Sequence, residues 1–366
     1  MKIICTKENL LKSLGVVSSC IKKSTALSIL SNILLEVEKG QIKLSATNLE
    51  IGIITFVRGK IEKEGRTVIP AQLFLSYVNN LPQEKITMEL KGDVLTLSCN
   101  DFRANIKCFD PNEFPLIPEV EGKAICKFKG EELKDCISKV IFARARDESR
   151  PEIAGILLKL GEKESFLVAT DSYRLAEKKI KTEEVSVEND YIIPSDTILE
   201  IGRIISSNNI VEVVGFEGQL KFSFDNIIFI SKIVDGQYPD YKQIIPEGSS
   251  CKIKLSRGEF IQALKSSSLF SKQDTNEVSL ETNLKNKEIN IQAESKQIGT
   301  GQTKLSAIST EGEDEKVIFN HQYILEGLSV IKSSEVFFLL NHDSGPALLK
   351  AVDDDSYIYI IMPIKK

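Results

Sequence analysis

Three stretches far apart in the chain share one alternation of apolar and polar positions. KIICTKENLLKSLGVVSSCI from Lys2, ICKFKGEELKDCISKVIFAR from Ile125 and CKIKLSRGEFIQALKSSSLF from Cys251 each read as a short strand, a polar turn and an amphipathic helix. Leu10, Leu11, Leu14 and Val17 fall on one face of a helix, as do Leu133, Ile137, Val140 and Ile141; Phe260, Ile261 and Leu264 begin the same stripe. Leu10, Leu133 and Phe260 stand 123 and 127 residues apart. A second marker recurs where a strand passes into a helix, in TVIPAQLFLSYV, YIIPSDTILEIGRII and VIFNHQYILEGLSVI, with Pro70, Pro194 and Asn320 in matching places. Proline suits the first turn of a helix, where its missing N–H costs nothing. Phe114-Pro115 returns as Tyr238-Pro239. Three markers at nearly equal offsets define a threefold repeat.

Between the helices the runs alternate with period two, as in NILLEVEKGQIKLSA, KITMELKGDVLTLSC and RANIKCF, with Gly40 and Gly92 at hairpin turns. The order helix, strands, helix, strands predicts an α+β fold of three repeated domains, each with two helices packed on antiparallel sheet. The polar, glycine-bearing stretches Glu121–Lys123 and Glu247–Ser250 place the domains at 1–122, 123–248 and 249–366. Similar domains joined by similar linkers turn by a similar angle each time, so the repeat predicts either a closed ring or an open filament.

One stretch departs from this plan. Phe229–Pro246, FISKIVDGQYPDYKQIIP, begins as a strand, turns at Asp235-Gly236, and then sets two tyrosines around a proline. It is apolar where a plain connection would be polar. A linker packed on its own domain and one wall of a recognition groove are both open.

Composition narrows the class. A chain of 366 residues with 42% hydrophobic content can build two or three cores, and no apolar run approaches a membrane span. The start, MKIICTKENLLKSL, lacks the apolar core of a signal peptide, which predicts a cytoplasmic protein. Seven scattered cysteines with no CxxC pair predict reduced, buried thiols and no zinc site. The two histidines, His321 and His342, stand apart from other ligand types and read as surface or capping residues. Asp353-Asp354-Asp355 reads as a solvated hairpin tip, and Gly299-Thr300-Gly301 lacks the remaining residues of a nucleotide loop. No catalytic constellation, metal site or cofactor fingerprint is expected. An enzyme with its site at a domain junction and a protein scaffold that never binds DNA remain alternatives to a DNA-binding protein.

The net charge of −5 does not exclude DNA, because duplex affinity needs lysine and arginine on one surface rather than a basic total. Basic residues recur about the first helix of each repeat: Lys22 and Lys23 follow it, then Arg144, Arg146 and Arg150 follow it, and in the third Lys265 lies on the helix and Lys272 just after it. That recurrence points to a shared basic surface.

The segments SKIVDGQYPDY and ATDSYRLA, with flanking similarity from ILSNILLEV to YIIMPIKK, carry a resemblance across the whole chain. The chain resembles the bacterial DNA sliding clamps, the beta subunit of the replicative DNA polymerase III holoenzyme. The resemblance implies a processivity factor without catalysis or cofactors. It selects the ring over the filament: a head-to-tail homodimer of six domains, helices lining the hole. Duplex DNA is then bound without sequence preference, with Lys22, Lys23 and Arg150 matching the regions that face it, and Arg144 and Arg146 expected beside them from the recurrence of basic residues. The implied dimer contact uses Ile106, Leu269 and Phe270. The implied partners are the replicative polymerase catalytic subunit, the clamp-loader complex, and other polymerases and repair proteins carrying short motifs. These motifs enter a groove whose positions match Ile153, Thr170, Tyr173, Arg174, Leu175, Pro239, Ile244, Asn320, Tyr323, Ile360, Met362 and Pro363. Ser172, Gln243 and Pro346 depart from the family pattern there: Ser172 replaces a common glycine. Ser24 stands where the family often has arginine, and Lys23 is the neighbouring substitute.

Overall fold

The computed structural model describes residues 1–21, 27–147, 149–272, 274–342 and 345–365. The chain forms two compact units, Met1–Glu131 with Thr182–Val187 and Asp196–Ile233, and Glu132–Lys181 with Glu188–Ser195 and Val234–Lys366. Each unit holds one small sheet and one nine-stranded sheet, and every described strand pairing is antiparallel, as the alternating pattern predicts.

In the first unit the small sheet runs, edge to edge, through Gly59–Lys63, Lys2–Thr6, Lys85–Lys91, Val94–Cys99 and Phe102–Lys107. The large sheet runs through Thr182–Val185, Cys126–Lys129, Ile210–Phe216, Gln219–Phe224, Ile227–Lys232, Ile51–Val57, Gln41–Thr47, Asn32–Glu38 and Gly65–Pro70. In the second unit the large sheet runs through Asn189–Ile193, Ile156–Leu160, Ser165–Thr170, Arg174–Ile180, Tyr357–Ile361, Ala347–Ala351, Glu335–Leu340, Cys251–Ser256 and Ser309–Gly312. Its small sheet has four strands, Gly299–Ser306, Glu288–Ser295, Glu277–Asn283 and Lys316–Asn320. Each large sheet therefore joins strands of two successive sequence repeats, a nonlocal pairing that periodicity does not reveal.

The helices follow their stripes. Thr6 caps Lys7–Val17 by accepting from the Asn9 backbone N–H at 3.3 Å, and Leu10, Leu14 and Val17 are buried while Leu11 is only half-buried. Leu133, Cys136, Ile137 and Val140 are buried on Gly130–Val140, and Phe260, Ala263 and Leu264 on Arg257–Ser268. Pro70 stands one residue earlier than expected: it ends a strand and precedes the helix Ala71–Asn80 as its cap. Asn320 fills that place before His321–Val330 and accepts from the Gln322 N–H at 2.9 Å. Gly40 turns its hairpin at φ 76°, after Lys39 at φ 50°, the left-handed pair that a two-residue hairpin loop requires.

All seven cysteines are free and buried. Burial pushes the thiols of Cys5, Cys20, Cys126 and Cys136 up to about 12, so they are inert at neutral pH. Among the described residues, no group of histidine, cysteine and carboxylates could hold a metal ion. No described helix is long and apolar enough to cross a membrane.

Two sequence expectations need correction, at Asp354 and at His321. Asp354 is not a solvated tip residue. It turns back to Lys178 (2.9 Å) and Lys139 (3.0 Å), both buried, and accepts from the Ser356 N–H at 3.0 Å. Lys139 also meets Asp135 at 3.1 Å, and Lys332 reaches the same carboxylate at 2.8 Å. Burial alone would raise the Asp354 carboxyl, but Ser356, Lys178 and Lys139 outweigh it and hold it well below the usual range. His321 is buried rather than a surface group; its Nε2 lies 3.3 Å from Ser271 Oγ, and burial lowers its pKa. Gly301 is a strand residue beneath the Phe270 ring, at a distance that leaves no room for a Cβ.

Candidate partner groove

The turn between Ser165–Thr170 and Arg174–Ile180 is fixed by its own polar side chains. Asp171 Oδ1 accepts from the backbone N–H groups of Tyr173 and Arg174, each at 3.0 Å. Thr170 Oγ1 accepts from the Ser172 N–H at 3.1 Å and donates to the Arg174 carbonyl at 2.7 Å. Ser172 sits at φ 76°, a left-handed conformation that glycine adopts without cost.

Arg174 is part of the frame rather than the mouth. Its guanidinium is buried, ion-paired with Asp171 at 3.0 Å and with Glu326, and donates to the Phe142 carbonyl at 2.9 Å. It lies over the Tyr323 ring, 4.4 Å from the centroid, and near Phe142 at 5.5 Å. An arginine so engaged has little donor capacity left to orient a ligand.

The final strand adds to this turn from beside it. Arg174 pairs with Ile361 and Leu175 with Ile360, and the Met362 N–H donates to the Tyr173 carbonyl at 2.8 Å. Ile364 donates to the Ile318 carbonyl at 2.8 Å, so the chain stays hydrogen-bonded as far as Ile364. Tyr173-Arg174-Leu175 and Ile360–Met362 are therefore neighbours along one sheet.

The aromatic stretch that follows the strand Ile227–Lys232 packs across that sheet. Tyr238 and Tyr241 are buried with Leu157, Val168, Leu175, Ile192, Leu348 and Ile360. Their rings meet edge to face at 6.4 Å, and the Tyr238 hydroxyl donates to the Val168 carbonyl at 3.5 Å. Lys242 bonds the buried Glu177 at 2.6 Å. The tyrosines thus belong to the core, which leaves Pro239 and Ile244 exposed beyond them.

The sequence-predicted groove set divides in two. Ile153, Thr170, Arg174, Leu175, Ile360 and Pro363 are buried and hold the frame. Tyr173 (63% exposed), Pro239 and Ile244 are open, and Asn320, Tyr323 and Met362 are half-buried. Asn320 already uses its side-chain oxygen as a helix cap. Sequence reasoning missed Phe142, Asp171 and Glu326, the groups that fix Arg174.

Of the residues expected to face DNA, Lys22 and Lys23 lie outside the described residues. Arg144 is half-buried and donates to the Ile141 carbonyl, whereas Arg146 is exposed. Arg150 is exposed and bonds Ser172 Oγ at 3.1 Å, which brings it to the rim of the candidate groove. Of the expected dimer residues, Leu269 is 72% exposed and Phe270 covers Gly301. The Ile106 side chain is buried within its own unit, at 3% exposure, on the edge strand Phe102–Lys107.

Comparison with known proteins agrees along the whole length. The family descriptions "DNA polymerase III beta subunit" match as N-terminal domain over residues 1–118, central domain over 127–240 and C-terminal domain over 242–365. The beta sliding clamp of Staphylococcus epidermidis is 28% identical over 375 residues, covering 100% of this chain and 99% of that protein. That of Staphylococcus aureus is 27% identical with the same coverage. Among solved structures, the DNA polymerase sliding clamp from Bacillus subtilis is similar with a TM-score of 0.95 at 26% identity, covering 100% of this chain and 99% of that one. The DNA polymerase III subunit beta from Pseudomonas aeruginosa gives 0.94 at 26%, covering 100% of both. With three clamp domains of mixed α+β structure end to end, the chain belongs to the DNA polymerase III beta subunit family, the non-catalytic sliding clamps that act as processivity factors in DNA replication.

Proposed function

We propose that two copies of this chain, each of domains 1–122, 123–248 and 249–366, close head to tail around duplex DNA in the cytoplasm. One observation carries the closure. Each large sheet consists of five strands from one repeat and four from the repeat before it. That pattern leaves five strands of the first repeat and four of the third as separate small sheets. The joining strands within each large sheet are the last of the five, Ile227–Lys232 or Tyr357–Ile361, and the third of the four, Ile51–Val57 or Arg174–Ile180. Their counterparts are Phe102–Lys107 and Gly299–Ser306, both edge strands whose outer sides have no ladder partner among the described residues. Pairing them between two copies makes the nine-stranded sheet a third time, and doing so twice closes the assembly.

The existing junctions also supply the register. Cys99 pairs with Phe102 around Asn100 (φ 48°) as Phe224 pairs with Ile227 around Asp225 (φ 49°). Ala293 pairs with Gly301 as Ala46 pairs with Ile53. By that correspondence Ala104 of one copy faces Gly301 of the other, and Asn105 faces Thr300. Leu269 and Phe270 flank this edge and become buried. Ile106 contributes through its backbone, its side chain being occupied at home.

The enclosed duplex is held through phosphates by Lys22, Lys23, Arg144, Arg146 and Arg150, so the ring slides without reading sequence. A loader must open it. The replicative polymerase, other polymerases and repair proteins dock extended motifs over Tyr173, Pro239, Ile244, Tyr323 and Met362, with the buried set behind them. Anchors of this type concentrate binding energy in a few side chains. The solution mass tests closure: twice 40.8 kDa is expected. Burying a leucine or phenylalanine side chain is worth about 1.5–3 kcal/mol. Leu269→Ala with Phe270→Ala is therefore expected to raise the dimer dissociation constant at least about tenfold, and an unchanged constant would contradict the interface.

A further inference from the structure

The turn that frames the candidate groove occurs a second time, in the first unit. Thr47-Asn48-Leu49-Glu50-Ile51 matches Thr170-Asp171-Ser172-Tyr173-Arg174 bond for bond. Asn48 Oδ1 accepts from the N–H groups of Glu50 (3.0 Å) and Ile51 (2.8 Å). Thr47 Oγ1 accepts from the Leu49 N–H at 3.0 Å and donates to the Ile51 carbonyl at 2.8 Å. Leu49 has φ 76°, the value of Ser172. The neighbouring strand is anchored alike: Lys232 donates to the Glu50 carbonyl at 3.0 Å, as Met362 does to that of Tyr173. Ile230 pairs with Gly52 as Ile360 pairs with Leu175.

Over this second turn lies a cavity of about 280 Å³, walled by the turn, by Leu116-Ile117-Pro118 and by Ile230 and Lys232. Gly52 stands where the other copy has Leu175, and Ile117 fills the space: a Cβ on Gly52 would come within 2.7 Å of its Cγ2. Two large apolar groups remain uncovered at the rim, Leu116 at 94% exposure and Leu49 at 45%. The volume is at the lower limit of small-molecule sites and suits one or two aliphatic side chains rather than a helix face. The flanking Glu50 and Lys232 are exposed and of opposite sign.

We infer that this cavity is a second, weaker seat for an extended partner peptide with a branched aliphatic anchor. The inference rests on reading the second-unit groove as a peptide site, because the repeated turn identifies the occupant's class. The seat is weaker because Ile117 already occupies the place of the deeper floor. The exposed leucines gain cover when a peptide lies over them, the same gain that Tyr173 and Met362 offer in the other unit.

A short synthetic peptide carrying photoleucine next to phenylalanine provides the probe. It is irradiated with the full-length protein over a concentration series, and the cross-linked segments are located by mass spectrometry. Cross-links at Tyr173 or Met362 are expected at low peptide, and cross-links at Leu49–Gly52 or Leu116–Pro118 at concentrations about tenfold or more higher. Met362→Ala should shift the first set to higher peptide concentration and leave the second unchanged; failure there counts against the groove reading alone. Leu116→Asp, at a position exposed enough to leave folding intact, should remove only the second set. Absence of first-unit cross-links at saturating peptide, or their persistence in Leu116→Asp, would overturn the inference.

Discussion

The two junctions between successive repeats have one backbone and two chemistries. Ile227–Ser231 joins Ile51–Thr55 in the first unit as Tyr357–Ile361 joins Arg174–Lys178 in the second, with the same pairing sense and the same turn at one end. In the first unit the residues laid over the joint are aliphatic: Val120, Val214 and Ile230 with Ile54, Ile117 and Ile228. In the second they are Tyr238 and Tyr241, and an ion-paired arginine sits behind the turn. The far ends differ too. Thr55 is met by the neutral Asn226 at 3.4 Å, whereas its counterpart Lys178 is met by Asp354. A repeated scaffold thus fixes one backbone at both junctions, and side-chain substitution decides what lies over each and which of them is sensitive to charge.

The largest difference should appear on cutting the tail. Deleting Met362–Lys366 removes the bonds to Tyr173 and Ile318 together with Met362 and Pro363, and should abolish binding of polymerase-derived motif peptides while leaving the dimer intact. The milder Met362→Ala should cost about 1–3 kcal/mol if that side chain is an anchor. Fluorescence titration of a labelled motif peptide decides it, and equal affinity for parent and truncated chains would place the strong site elsewhere.

Acid should separate the junctions next. Asp354 has a folded pKa below its unfolded value, so its stabilisation is present above about pH 4 and is lost as pH falls through the folded value. Protection of the Tyr357–Ile361 amides should therefore drop in acid before that of Ile227–Ser231, which has no such carboxylate. Asp354→Asn should reproduce the loss at neutral pH, at about 1–3 kcal/mol, because Asp354 retains some exposure and full burial would cost more. Parallel loss at both junctions in hydrogen exchange would refute the distinction.

A smaller effect assigns the basic residues. Replacing Lys22, Lys23 and Arg150 by glutamate should lower DNA association and flatten its salt dependence. Arg150, bonded to Ser172, is the informative member. If Arg150→Glu alone weakens motif peptides and leaves the salt slope unchanged, it belongs to the groove rather than to the DNA surface.

Much of the fold was legible because it rests on local periodicity. The helix stripes at Leu10, Leu133 and Phe260, the hairpin at Gly40 and the cap at Asn320 are short-range features. What the sequence did not disclose are contacts made far along the chain. Asp354 meets Lys139 and Lys178 only after the hairpin folds back, and Arg174, a groove position by resemblance, is held by Asp171, Glu326 and the Phe142 carbonyl from other parts of the chain. Ile106 looked available until its side chain proved buried. The twin turn was readable in principle: Ala46-Thr47-Asn48 and Ala169-Thr170-Asp171 stand 123 residues apart, the offset of Leu10 and Leu133.

Closure of two copies around DNA has a direct test. Asn105→Cys with Thr300→Cys places one thiol on each open edge, and the seven native cysteines, all buried, should not compete. Directly opposed strand residues have Cβ atoms about 4.5–5.5 Å apart, within reach of a disulfide after slight adjustment. The protein is loaded on circular duplex DNA, oxidised, and washed with high salt and denaturant. A covalent dimer, bonded at both edges, is expected to stay on the circle and to leave only when the DNA is cut once. Failure of the pair to cross-link, or release of the doubly bonded dimer from intact circles, would contradict it.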